Sequence, residues 1–177
     1  YLALLGWSPG EDREIMSRDE MIAAFTLDRI KSGAAQMDMS KLEWMNGEYM
    51  RNLPADVFKA GFEQALGDAG LDVCSADAGY RDQVVGLMQI RTNMYSDAPP
   101  DSGFFFTEDY PYDQKAIKKR LLKPDVPALL LELKSRFAAL ASFDEAAIEE
   151  VVRNYAEEQD LSAGKLVHPL RVAVSGI

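Results

Sequence analysis

Apolar residues recur at three- and four-residue intervals along most of this chain, the repeat of helices that each bury one stripe. Val57, Phe58, Gly61, Phe62, Ala65 and Leu66 form the clearest set. Pro54 stands at a first-turn position before it, and Gly70 follows it where a left-handed cap is expected. Tyr80, Val84, Leu87, Met88 and Arg91 form a second set. Ser17 with Glu20, Ser40 with Glu43, and Ser142 with Glu145 read as capping boxes, each opening a helix by offering oxygen acceptors to free amides. Further helices are expected over 113–122, from about Pro124 to Leu140, and from Asp144 to about Glu158. The stretch 97–103, Asp-Ala-Pro-Pro-Asp-Ser-Gly, reads as a loop, and the run Phe104-Phe105-Phe106 after it requires a buried place. Alternating strand patterns are scarce and no repeat is found, so the expected class is all-α, with seams at Leu53-Pro54 and at the 97–103 loop.

With 47% apolar residues, 177 positions can bury one ordinary core or two small ones. No apolar run reaches the roughly 18 residues of a membrane span. One cysteine, Cys74, and one histidine, His168, make neither an intramolecular disulfide nor a Cys/His zinc site, so no metal is expected and a cytoplasmic setting is. The chain opens inside an apolar stretch at Tyr1 and stops at Ile177 without a polar tail, which reads as a piece of something longer. A net charge of −10 argues against gripping nucleic acid over the whole surface, though not against a local basic face. Lys115, Lys118, Lys119, Arg120 and Lys123 fall together without an acid among them, a run read here as a solvated helix face. Catalytic constellations are missing. Asp144-Glu145 and Glu149-Glu150 read as helix charge pattern, and His168, before Pro169, has no nameable partner for general-base work.

One short stretch, KLEWMNGEYMRNL (41–53), asks for more than a core helix. Leu42, Met45 and Tyr49 fall on one face, Lys41 and Trp44 beside it, and Glu48 and Arg51 toward the other. Gly47 costs such a helix about 1 kcal/mol against alanine, so something must approach its backbone closely, another helix or a ligand. Two readings stay open: Trp44 and Tyr49 as core aromatics over a packing notch, or the stretch as a recognition surface.

Three segments, YLALLGWSPGEDREIMS (1–17), KLEWMNGEYMR (41–51) and GKLVHPLRVAVSG (164–176), resemble successive signatures of bacterial glutamyl-tRNA synthetases, in that family's order and roughly its spacing. The resemblance implies the tRNA-binding, C-terminal part of such an enzyme, with an α-helical cage for the anticodon. The family's catalytic domain, with its His-Ile-Gly-His and Lys-Met-Ser-Lys type signatures, does not occur in the sequence, so no catalytic residue is expected in it. The parent enzyme would join L-glutamate to tRNA(Glu) using ATP and Mg2+ held in that other domain, and is expected to be a cytoplasmic monomer. By resemblance, residues 1–53 correspond to the stem-contact fold, 54–103 to the first half of the anticodon-binding domain, and 104–177 to the start of its second half. Lys41, Trp44 and Arg51 become stem-contact candidates. Arg91, in GLMQIRTNM, falls where the family reads the third anticodon base. Arg171 and Arg153 match two further anticodon-side arginines, and His168 stands where glutamine is more usual. The rival reading is a helical protein-interaction module that binds no RNA.

Overall fold

The computed structural model describes residues 1–10, 13–34 and 36–177; Glu11 and Asp12 of the first signature, and Ala35, lie outside the described residues. The described residues are helical with no strands; their one β-bridge pairs Trp7 with Ile30. The chain divides into two compact units, Tyr1–Phe106 and Thr107–Ile177.

The first unit begins with α1 (Leu2–Gly6), α2 (Arg18–Ala24) and α3 (Met39–Arg51). The Ser17–Glu20 capping box is formed in full, Ser17 Oγ accepting from the Glu20 amide and the Glu20 carboxylate from the Ser17 amide. The Ser40–Glu43 box is not formed. Asp38, two residues earlier, caps α3 by accepting from the Lys41 amide at 3.0 Å, which places Ser40 inside the first turn. A carboxylate is at least as good a cap as a hydroxyl, and two caps cannot serve one helix start.

The main core of this unit joins the end of α3 to α4 (Ala55–Asp68) and α5 (Ala78–Gln89), through Met50, Phe58, Phe62, Leu66, Val84, Val85 and Met88. Phe58 and Phe62 stack at 5.6 Å, and Tyr95 closes on Phe58 at 5.8 Å. Pro54 occupies the N-cap of α4, one position before the first turn, and Gly70 takes φ +84° just past its C-cap, as the helix-ending glycine should. On α5 the expected stripe is shifted: Val85 is buried, whereas Tyr80 and Leu87 are exposed.

The supposed loop at 97–103 contains a helix, α6 (Ala98–Ser102). Its prolines stand in the first turn, where the missing amides have no helical partner in any case, and buried Ser102 ties the turn by donating to the Ala98 carbonyl at 2.6 Å. Phe104, Phe105 and Phe106 are only half-buried; Phe105 and Phe106 pack on the rim of the core.

In the second unit, α7 (Gln114–Ala116) widens into a π-helical segment, Ile117–Leu121, closed by the Leu122 amide on the Ile117 carbonyl at 3.1 Å. It is followed by α8 (Val126–Ala138), α9 (Glu145–Glu158) and α10 (Gly164–Ser175). Leu133, Val152, Tyr155, Ala156 and Leu166 make their shared core. Asp144, not Ser142, caps α9: its carboxylate accepts from the Ala147 amide at 3.0 Å while Ser142 donates to it at 2.6 Å.

Two glycines of α4 allow a direct check of this packing. A Cβ on Gly61 would lie 2.3 Å from Cζ of Tyr95, whereas one on Gly67 would meet nothing within 4 Å. Gly67→Ala is expected to stabilise the first unit by up to about 1 kcal/mol through helix propensity. Gly61→Ala should lose about 1–2 kcal/mol, because displacing the Tyr95 ring from Phe58 outweighs the same gain. Urea unfolding followed by tryptophan fluorescence reads this unit selectively, since Trp7 and Trp44 both lie in it.

Candidate nucleic-acid interface

In the first unit, two of the expected contact residues, Arg51 and Arg91, come to where α3 passes the turn after α5. Gln89 Nε2 reaches back from α5 to the carbonyls that end α3, donating to those of Leu53 at 2.9 Å and Met50 at 3.3 Å. Beyond it, buried Thr92 donates its amide at 2.9 Å and its hydroxyl at 2.8 Å to the Met88 carbonyl, pinning the turn after α5 on which Arg91 is exposed. Asn93, on the same turn, accepts from Arg51 Nη1 at 3.3 Å, and its backbone carbonyl takes the Asn46 amide group.

Gly47 explains itself here. A Cβ at that position would sit 2.1 Å from Asn93 Oδ1, so the close approach comes from a neighbouring side chain and not from another helix's backbone. The aromatics of α3 are not core residues: Trp44 is 43% exposed and Tyr49 40%. Tyr49 has a structural task at its polar end, where its hydroxyl donates to the Met16 carbonyl at 2.7 Å. Contrary to the expected division of faces, the helical repeat along α3 brings Arg51 to the side that carries Trp44 and Lys41. Lys41 is paired with Glu14, and Arg51 with Glu48 at 2.7 Å. Among the described residues Arg91 has no ion pair, and its fork of donors is available.

In the second unit, the segment leading into α7 is strapped to the end of α10. Tyr112 Oη donates to the Ala173 carbonyl at 2.8 Å, Tyr110 Oη to that of Val174, and the Asp113 amide to the Gly176 carbonyl at 2.8 Å. Gly176 adopts φ +78°, and a Cβ there would lie 2.7 Å from the Pro111 carbonyl, so this junction needs glycine twice over. The strap lays α10 along the π-helical segment. Lys115, Lys119 and Arg120 thereby line a groove of about 360 Å³ with His168 and Arg171. Arg171 is exposed on α10 and, among the described residues, has no ion pair.

Arg153 is placed apart from that groove, exposed on α9 and paired with Glu149 one turn away. Beside it Arg136 is engaged more fully. Its guanidinium donates to Glu132 at 2.8 Å and to both oxygens of Glu158 at 2.9 and 2.6 Å, and lies 4.3 Å above the Tyr155 ring. The helix carrying Arg171 was not among those expected from sequence, and Gly164 and Pro169 are residues that helix interiors disfavour. The signal was present in Leu166, Pro169, Val172 and Ser175, buried at every third position.

No group of His, Cys, Asp and Glu among the described residues could hold a metal ion, so none of them fits Mg2+. Nor is any of the described helices long and apolar enough to cross a membrane.

The class of the protein comes from its family. Residues 57–177 match the model described as an anticodon binding domain, and the chain belongs to that family. Its relatives are more particular. The chain is 36% identical to the glutamate–tRNA ligase of Moorella thermoacetica and 37% to that of Thermus thermophilus, each over 99% of its own length. It spans only 36% and 37% of those proteins. A crystal structure of a glutamate tRNA ligase from Elizabethkingia meningosepticum, in complex with its amino acid, superposes with a TM-score of 0.76 at 30% identity, covering 99% of this chain and 34% of that one. The all-α fold is thus that of the corresponding region of the glutamate–tRNA ligases.

The ion-pair network of α8 and α9 carries a pH signature. The Arg136 fork holds the Glu158 carboxyl below its usual value of 4.5. A carboxyl lowered by folding stabilises above its unfolded value, and the stabilisation is lost as pH falls through the folded one. Protection factors of the α9 amides, with intrinsic exchange rates divided out, should therefore fall as pH drops below 4.5. Arg136→Gln should flatten that acid limb once intrinsic exchange rates are divided out; an unchanged limb would locate the titration elsewhere.

Proposed function

We propose that this chain is the tRNA-recognition region of a glutamate–tRNA ligase and binds the anticodon arm of tRNA(Glu). The observation that carries this is the family match over 57–177 together with relatives named glutamate–tRNA ligase along 99% of the chain. The whole protein is then a cytoplasmic, monomeric aminoacyl-tRNA ligase, which activates L-glutamate with ATP and Mg2+ and transfers it to the terminal adenosine. That chemistry belongs to a catalytic domain whose His-Ile-Gly-His and Lys-Met-Ser-Lys type signatures do not occur in this sequence.

Within this reading, 1–53 contacts the inner corner of the tRNA, 54–103 forms the first half of the anticodon-binding domain, and 104–177 begins the second. Arg91 reads the third anticodon base. Its support is physical: an unpaired guanidinium on a turn pinned by Thr92 can present two parallel donors to a base edge. Arg171 and Arg153 serve the same arm, Arg153 after giving up its exposed pair with Glu149, which holds it weakly. Trp44 offers a face for ribose or base stacking between Lys41 and Arg51, both of which must exchange a carboxylate for a phosphate.

Electrophoretic mobility shift with a tRNA(Glu) transcript tests the reading. Arg91→Ala should cost about 1–3 kcal/mol of binding and blunt discrimination at the third anticodon position, while Lys134→Ala on α8 leaves affinity unchanged. A chain that ignores tRNA even at low salt would instead be a helical protein-interaction module, the reading for which exposed Leu122 and Leu131 would serve.

A further inference from the structure

From sequence the basic run at 115–123 reads as a solvated face; the structure gives it a second wall. Along the chain, 114–124 and 161–177 contain no acidic residue, and the strap at 110–113 brings these two stretches side by side. Nine of the twelve acids of the second unit lie on α8 and α9 and at their ends, where Glu132 and Glu158 hold Arg136 and Glu149 holds Arg153; the other three, Glu108, Asp109 and Asp113, precede α7. Lys115, Lys119, Arg120, Lys123, Lys165 and Arg171 are left without a carboxylate partner among the described residues. In a chain with 29 acidic and 19 basic residues, six unpaired cations on adjoining elements form a segregated field.

Shape narrows what that field fits. The groove lined by Lys115, Lys119 and Arg171 is continued by a second, of about 380 Å³, lined by Lys123 and Lys165, and Arg120 and His168 belong to both. Each groove has one carboxylate at its margin, Asp113 in the first and Asp125 in the second. Asp113 is occupied in capping α7, accepting from the Lys115 amide at 2.7 Å. A single recess would suit an isolated anion, whereas two in series across a shared wall suit a chain of anions.

We propose that the groove between the π-helical segment and α10 is a track for the sugar-phosphate backbone of a single-stranded RNA loop, with Lys119 and Lys165 as non-sequence-specific phosphate contacts. This rests on the tRNA-binding reading above and adds to it a division of labour. Lysine, a point charge on a flexible stem, holds phosphate without reading bases, while Arg171 at one end of the track has the fork that base recognition needs.

Fluorescence anisotropy with the full chain tests it, using labelled tRNA(Glu) transcript and an anticodon-substituted transcript across a salt series. Lys119→Ala/Lys165→Ala should weaken both transcripts equally, by about fivefold per lysine at 0.1 M salt, and flatten the log-log salt slope by about 0.7 per lysine. Lys119→Arg/Lys165→Arg should restore both, and inorganic phosphate at matched ionic strength should not compete. An unchanged slope, a loss confined to the cognate transcript, or displacement of RNA by inorganic phosphate overturns the track while leaving tRNA binding intact. Failure of the wild-type chain to bind either transcript at low salt overturns both readings.

Discussion

The second unit depends on one junction: the strap of residues 110–113 on the C-terminal end of α10. It consists of two tyrosine hydroxyls and one amide, each donating to a carbonyl of the last helical turn or the residue beyond it. Those carbonyls have no amide of their own to accept, so the strap satisfies groups that would otherwise need water. It also fixes the register of α10 against the π-helical segment. Without that register Lys115 and Arg171, 56 positions apart in sequence, would have no reason to share a groove. Gly176 makes the junction possible, since any side chain there would meet both a left-handed backbone and the Pro111 carbonyl.

The first unit solves the same problem with different groups. Here a side-chain amide, Gln89 Nε2, gathers the carbonyls at the end of α3, and the turn that follows is pinned by Thr92 on one side and by Asn93 against Gly47 on the other. Arg91 is therefore held by its neighbours and, among the described residues, by no ion pair of its own. Such a side chain keeps its donors for a ligand while its backbone is already ordered, which lowers the entropy lost on binding.

Much of this was legible in the sequence, and the failures have physical causes. Strong three-four spacing located α4, α8 and α9 because each buries a continuous stripe. Two of the three expected capping boxes were displaced because aspartates nearby, Asp38 and Asp144, compete for the same amides, and a pattern match cannot rank the competitors. The helices at 98–102 and 164–175 were hidden by prolines that sit, respectively, where helices tolerate them and where α10 accepts the loss of one hydrogen bond. Gly47 announced a close approach but could not name Asn93, 46 residues away. The arginines show the limit most clearly. The pairing of Arg153 with Glu149 follows from i,i+4 spacing, but that of Arg136 with Glu158 exists only once α8 packs on α9. Which cations remain unpaired is a property of the fold.

That last point reconciles an acidic chain with an anionic partner. The first unit holds 17 acidic against nine basic residues, the second 12 against ten. Net charge sets the long-range field, which at physiological salt is screened beyond about 8 Å. Within that distance only the local arrangement matters, and in the second unit the cations of 115–123, Lys165 and Arg171 lie on elements that carry no acid, while Lys134, Arg136 and Arg153 share α8 and α9 with carboxylates. Carboxylates that neutralise Arg136 and Arg153 do so beside α8 and α9, while the strap draws the acid-free stretches together. An anionic strand approaching the groove would meet cations without displacing protein carboxylates, whereas at Lys41 or Arg51 it would first have to break an ion pair. Within the second unit, that separation gives a polyanion its strongest attraction at the groove, where no ion pair has to be broken first.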